Sequence, residues 1–163
     1  GHETTPGLEA AAAEAAATLL AAELGPWLAG ARPARPQDDA AATATRPWRR
    51  EDGRLDPGLA AAALERRVRA LAPWPGTFVE TASGRLAVRS ASVGESQPGD
   101  VPGRLVEAGA GLALTTAAGR LVLLEVQPSG GRAMTASDYR RGHPGIVGSS
   151  IRAASPIPSG VAG

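Results

Sequence analysis

The chain has 163 residues, a formal net charge of +1 and no cysteine, which leaves room for one domain of about 100 to 120 residues plus an extension. Without cysteine, disulfides, thiolate metal sites and cysteine nucleophiles are excluded together. All 17 cationic residues are arginine and asparagine is absent, so chemistry that needs an Asn side chain is excluded as well.

The first predicted element is a helix. Thr5 reads as its N-cap and Pro6 as its first helical position. The alanine-rich run to about Leu24 has high helix propensity, and Leu20, Leu24, Trp27 and Leu28 give it a thin apolar edge. Residues 30–50 follow as an extended linker of Pro and small polar residues, with Trp48 expected to anchor its far end by packing. Asp56-Pro57 reads as the start of a second helix that ends before Pro73. Leu64, Val68 and Leu71 share its apolar face, opposite Arg66 and Arg69.

From Thr77 the period changes to two. Thr77–Thr81 and Arg85–Ser90 flank an Ala82-Ser83-Gly84 turn as a hairpin, with Leu86 and Val88 on one face and Arg85 and Arg89 on the other. A polar loop from Gly94 to Gly103 is expected to be mobile. Arg104–Glu107 and Leu112–Thr116 are short strands around Gly109-Ala110-Gly111, and Arg120–Gln127 is a nearly apolar central strand. Thr135 caps a short helix through Arg141, with Gly142 as its stop. The tail beyond Arg152 has no periodicity and is expected to be disordered. The fold class is therefore mainly β with flanking helices. Five strands with glycine-bearing turns match the count of a small oligonucleotide/oligosaccharide-binding (OB) barrel.

The charge is unevenly divided. Residues 1–45 carry two Arg against six acids, while residues 46–163 carry fifteen Arg against ten acids. A basic module behind an acidic helix points to a polyanionic partner, with solvated surface charge as the plainer reading. The chain lacks an apolar run near 18 residues and a signal-like start, and with its lack of cysteine this reads as cytoplasmic and soluble. His2 and His143 are the only histidines and lie at opposite ends, so no metal site is expected, and His143 reads as a surface or helix-terminal residue. No nucleophile elbow or phosphate-cradling glycine loop is present, and the adjacent acids Glu51 and Asp52 read as solvated.

Three motifs go beyond pattern: Arg50-Glu51-Asp52-Gly53-Arg54-Leu55-Asp56, Pro73-Trp74-Pro75-Gly76, and Gln127-Pro128-Ser129-Gly130-Gly131-Arg132-Ala133-Met134. Their order and spacing resemble the C-terminal part of the methionyl-tRNA formyltransferase family, over roughly residues 3–152. The resemblance implies residues 1–30 as the last helix of a Rossmann-like formyltransferase domain and 31–50 as linker. It implies 51–152 as an OB-like tRNA-binding domain, with 153–163 as tail. In that family an Asn, a His and an Asp transfer the formyl group from 10-formyltetrahydrofolate to initiator methionyl-tRNA, in a domain whose motifs do not occur here. The resemblance therefore implies a chain inactive by itself, with no catalytic, cofactor or metal residues of its own, acting as a monomer with tRNA as partner.

Nine arginines are candidates for phosphate contact: Arg46, Arg49, Arg50, Arg66, Arg67, Arg69, Arg85, Arg89 and Arg132. With tRNA as the partner that the resemblance implies, Arg46, Arg49, Arg50, Arg67 and Arg132 are taken as the tRNA-binding set. Arg132 matches the second of two family loop cations; Gly131 stands in place of the first, and Ala44 and Pro47 stand where the family often has Tyr and Lys. Trp74 reads as a core residue fixing the corner, with base stacking as the other option, and Met134 as packing. Two further functions remain open: the C-terminal domain of a nucleotide-sugar formyltransferase, and a free-standing OB-fold nucleic-acid-binding module. The second should carry stacking aromatics on its strands, where only Phe78 is found.

Overall fold

High helix propensity over 24 residues produces α1, Thr5–Leu28, in the computed structural model, which describes residues 3–151. The N-cap is Thr4, one residue earlier than expected: its backbone is extended and its hydroxyl accepts from the Gly7 N–H at 3.4 Å. The helix continues past Leu24 through Pro26, and the Ala29 N–H closes it on the Gly25 carbonyl at 3.0 Å. No residue of α1 is buried, and Leu19, Leu20, Trp27 and Leu28 are all exposed. Its helicity therefore rests on alanine propensity and local bonds.

The chain divides into two compact units, residues 1–48 and 49–163. In the first, α1 is followed by extended chain with one 3₁₀ turn, Asp39–Ala41, whose Ala40 N–H donates to the Asp38 carboxylate at 3.0 Å. Trp48 is exposed and does not anchor the linker by burial. The buried core begins only at Leu55, so the first unit offers no apolar cluster for the indole to enter.

The second unit opens on a 3₁₀ turn, Arg50–Gly53, followed by α2, Ala61–Ala70. Asp56-Pro57 does not start that helix. The Asp56 carboxylate accepts from the Gly58 N–H at 2.9 Å and the Pro57 carbonyl accepts from the Ala117 N–H, so both residues are used in a preceding turn. Ala60 is the N-cap instead. Leu64, Val68 and Leu71 are buried as the helical spacing requires, and α2 packs on the sheet below it.

That sheet has six antiparallel strands: β1 (Thr77–Thr81), β2 (Gly84–Gly94), β3 (Leu105–Ala108), β4 (Gly111–Thr115), β5 (Arg120–Pro128) and β6 (Met134–Thr135). The order is β1-β2-β5-β4-β3, with β6 added to β5 through Val126↔Met134. The sequence predicts five strands; the sixth is too short to show a period. The long central strand β2 pairs with both β1 and β5, and its register to β5 shifts around Ser90, where a bulge bends it. Inward residues such as Leu86, Val88, Leu112, Leu114, Leu121, Leu123 and Val126 form the core with Leu64 and Val68. The last helix, α3 (Ala136–Gly142), is capped by the Thr135 hydroxyl, which accepts from the Asp138 N–H at 3.1 Å. The expected tail, 153–163, lies outside the described residues.

The polar loop after β2 is tethered rather than loose. The Asp100 carboxylate accepts from Arg120 Nε at 2.7 Å and from the Gln97 N–H at 2.9 Å, while Ser96 Oγ accepts from the Gly119 N–H at 2.8 Å. The Arg120 hydrogen bond is the main reason the Asp100 carboxyl is lowered from 3.8 to about 2, with the Gln97 N–H adding to it. A carboxyl depressed in the folded state contributes stability that is present above its ordinary value and is lost as pH falls through about 2. A ¹³C-detected titration should place the Asp100 midpoint well below the ordinary carboxyl value of 3.8, and Arg120→Ala should raise it toward that value.

Candidate nucleic-acid interface

The 3₁₀ turn Arg50–Gly53 is built by reciprocal bonds. The Asp52 N–H donates to the Arg49 carbonyl at 3.0 Å, and the Arg49 N–H donates back to Asp52 Oδ2 at 2.6 Å. Asp52 is buried, and its carboxylate is held against the backbone of the turn by the Arg49 N–H. Arg67 Nη2, reaching across from α2, donates to the Asp52 carbonyl. Its Nε is buried without a hydrogen-bond partner among the described residues. Arg67 thus clamps α2 to the turn that displays Arg49 and Arg50.

The turn also lies against the Pro73-Trp74-Pro75-Gly76 corner. Gly53 is in such close contact that a Cβ there would fall 2.0 Å from the Gly76 carbonyl oxygen. The corner itself closes through the Gly76 N–H donating to the Leu71 carbonyl at 2.8 Å. Trp74 is not a core residue: it is 57% exposed, and the Arg50 guanidinium lies 5.8 Å above its ring. Leu71 takes the buried position at the end of α2, which leaves the indole on the outside of the corner.

The remaining arginines separate by their partners. Arg69 pairs with Glu65 at 2.6 Å. Arg85 pairs with Glu80 and Glu51 while lying 3.8 Å over the Phe78 ring, and Arg54 joins the same acids. Arg66 is exposed on the outer face of α2. Among the described residues no ion pair involves Arg49, Arg50, Arg66, Arg67, Arg89 or Arg132.

Arg132 sits exposed on the loop between β5 and β6. That loop is tied down by Gln127, whose Nε2 donates to the Gly131 carbonyl at 2.8 Å and whose Oε1 accepts from Arg89 Nε at 3.1 Å. Arg89 follows Val88 on β2, and Val88 pairs with Thr77 immediately after the corner. The second unit thus brings Arg49, Arg50 and Arg67 together at the turn and places Arg89 and Arg132 about one shared amide. Arg46 belongs to the first unit, where its Nη1 donates to the Pro47 carbonyl at 3.1 Å.

Elsewhere the surface offers little chemistry. A hollow beside the β1–β2 hairpin is lined by Glu80, Thr81, Ala82, Gly84, Ser150 and Ile151, and Glu80 is already engaged by Arg85. His143 terminates α3, with its ring stacked on Tyr139 at 4.2 Å. Among the described residues no group of three His, Cys, Asp or Glu could hold a metal ion, and no helix is long and apolar enough to cross a membrane.

Comparison with known proteins bears on this surface. A family profile described as formyl transferase, C-terminal domain, matches residues 48–144, beginning one residue before the second unit. Methionyl-tRNA formyltransferase of Roseiflexus castenholzii is 40% identical over 127 residues, covering 77% of this chain and 41% of the relative. The protein of the same name from Halorhodospira halophila is 36% identical over 151 residues, or 92% and 49% of the two chains. That from Thermus thermophilus is 46% identical over 111 residues, or 67% and 35%. The chain therefore spans at most about half the length of these curated relatives. The core residues from Leu55 to Tyr139, the Pro-Trp-Pro-Gly corner and the glycine loop fall inside the matched segment, and this chain belongs to the family of formyl transferase C-terminal domains.

Proposed function

We propose that the chain is the tRNA-binding C-terminal portion of a methionyl-tRNA formyltransferase, the cytoplasmic enzyme that formylates initiator methionyl-tRNA with 10-formyltetrahydrofolate. In this reading α1 ends the formyltransferase domain, residues 31–50 are linker, and residues 51–152 are an OB-like barrel. The bulge in β2 supports the barrel, because a long bent strand is what lets a small sheet curl on itself. The chain acts as a monomer and transfers no formyl group by itself. That transfer calls on an Asn in the family it resembles, and this sequence has none.

The observation that carries the proposal is that Arg49, Arg50 and Arg67 at one rigid turn, and Arg132 on the β5–β6 loop, are in no ion pair among the described residues. Arg49, Arg50 and Arg132 supply guanidinium forks to phosphates, and Arg46 of the first unit is the linker's own candidate for such a contact. Arg67 adds charge and fixes the turn. Binding of this kind is sequence-tolerant, with a dissociation constant of about 10⁻⁴ to 10⁻⁶ M at physiological salt.

Titrating the chain with a tRNA transcript at two salt concentrations tests it. Arg49→Ala, Arg50→Ala and Arg132→Ala together should flatten the salt slope by roughly one unit per phosphate contact removed. Arg66→Ala and Arg69→Ala should change it less. Equal affinity and equal slope for wild type and triple variant would reduce these arginines to solvated surface. Binding of a uridine-diphosphate sugar in preference to tRNA would move the chain to the nucleotide-sugar enzymes.

A further inference from the structure

We propose that Trp74 and Arg50 together form a stacking platform for an unpaired nucleobase of the bound RNA. This rests on the tRNA reading above and names the part of the RNA that meets this face.

An exposed apolar side chain is by itself ordinary. Trp74 differs in three respects. Its backbone is stiff: Pro73 and Pro75 fix φ on either side, and the Gly76 N–H to Leu71 carbonyl bond closes the corner. Its ring is oriented, because Arg50 lies over it at 5.8 Å. Its cation is uncommitted, since neither Arg49 nor Arg50 is in an ion pair among the described residues. The close approach of Gly53 to Gly76 holds ring and guanidinium in one frame, so the pair is preorganised.

A planar ring with a guanidinium at its face and phosphate-competent arginines beside it has the composition of a single-strand reader. The ring takes the flat face of a base, and the arginines take the backbone on either side. The interior of a duplex offers nothing to such a platform, because its bases are already stacked on each other. The occupant is therefore a loop or extrahelical base, and its identity is unimportant because every base has a π-face.

The test uses the full chain carrying Trp27→Phe and Trp48→Phe, which leaves Trp74 as the sole indole. A single-stranded oligouridylate and a blunt RNA duplex with the same number of phosphates are titrated while Trp74 fluorescence is followed. Quenching by the single strand and not by the duplex is the expected result. Trp74→Ala should weaken single-strand binding roughly tenfold with the salt slope unchanged, while Trp74→Phe should retain part of the affinity. Arg49→Ala should do the reverse, lowering the slope and leaving the quench in place. Equal quenching by both RNAs, or unchanged single-strand affinity in Trp74→Ala, would overturn the platform while leaving the tRNA reading intact. Failure of the wild type to bind any RNA would overturn both.

Discussion

Replacing Gly53 with alanine is expected to lower the melting temperature of the second unit more than any other Gly→Ala change among its described residues. The added Cβ would fall 2.0 Å from the Gly76 carbonyl oxygen and 3.1 Å from its carbon. Both contacts are backbone, so no side chain can rotate away and one segment must move. Overpacking of this kind costs about 1–3 kcal/mol and occasionally more. In a domain of roughly 100 residues, each kcal/mol shifts the midpoint by about 4–8 °C. The movement would also pull Leu55 from the Phe78 carbonyl, to which its N–H donates at 2.9 Å. Gly145→Ala is the control, since a Cβ there meets nothing within 4 Å. Differential scanning calorimetry decides the matter: equal midpoints for the two variants would mean that the turn and the corner are not in firm contact.

Leu64→Ala should be costlier still. Leu64 is fully buried at the centre of the face that α2 lays on the sheet, in one cluster with Val68, Leu86 and Val88. Truncation removes three heavy atoms and leaves a cavity between a helix and a sheet, neither of which can collapse freely. Such Leu→Ala changes cost about 2–5 kcal/mol, a large part of the roughly 5–15 kcal/mol that holds a typical domain together. Leu20→Ala in α1 is the matched contrast. Leu20 is 59% exposed, so the same deletion there should stay within about 0.5 kcal/mol. Chemical denaturation followed by far-ultraviolet circular dichroism measures both. Similar losses at the two sites would contradict the burial difference.

The core strands were legible because alternation of Leu and Val with polar residues states directly which face is buried, as in Leu86 and Val88. The extension of β2 to Gly94 was not: Ser90, Ala91 and Ser92 carry no apolar alternation, and only the bulged pairing with β5 keeps them in the sheet. Asp56-Pro57 looked like a helix start because Asp followed by Pro is also how a turn begins. Local sequence does not distinguish the two; the Ala117 N–H on the Pro57 carbonyl does. Trp74 misled in the same way. The flanking prolines correctly marked a rigid corner, but which side of it faces solvent depends on Leu71 filling the interior. The arginines show the limit most plainly. Nothing near Arg85 in the chain reveals that Glu51, 34 residues earlier, lies across from it, whereas Arg49 and Arg50 escape such pairing.

Gln127 carries a consequence for how the cations of this face act together. Its amide has one accepting end, held by Arg89, and one donating end, held by the Gly131 carbonyl. Only one orientation serves both, so the amide cannot turn without losing its bonds to both partners at once. A phosphate drawing Arg89 away would release the Gln127 oxygen and loosen the loop on which Arg132 stands. One engaging Arg132 in place would instead tighten the grip on Arg89. Because Arg89 and the loop of Arg132 share this amide, the stability losses from removing Arg89 and Gln127 singly should not sum to the loss from removing both.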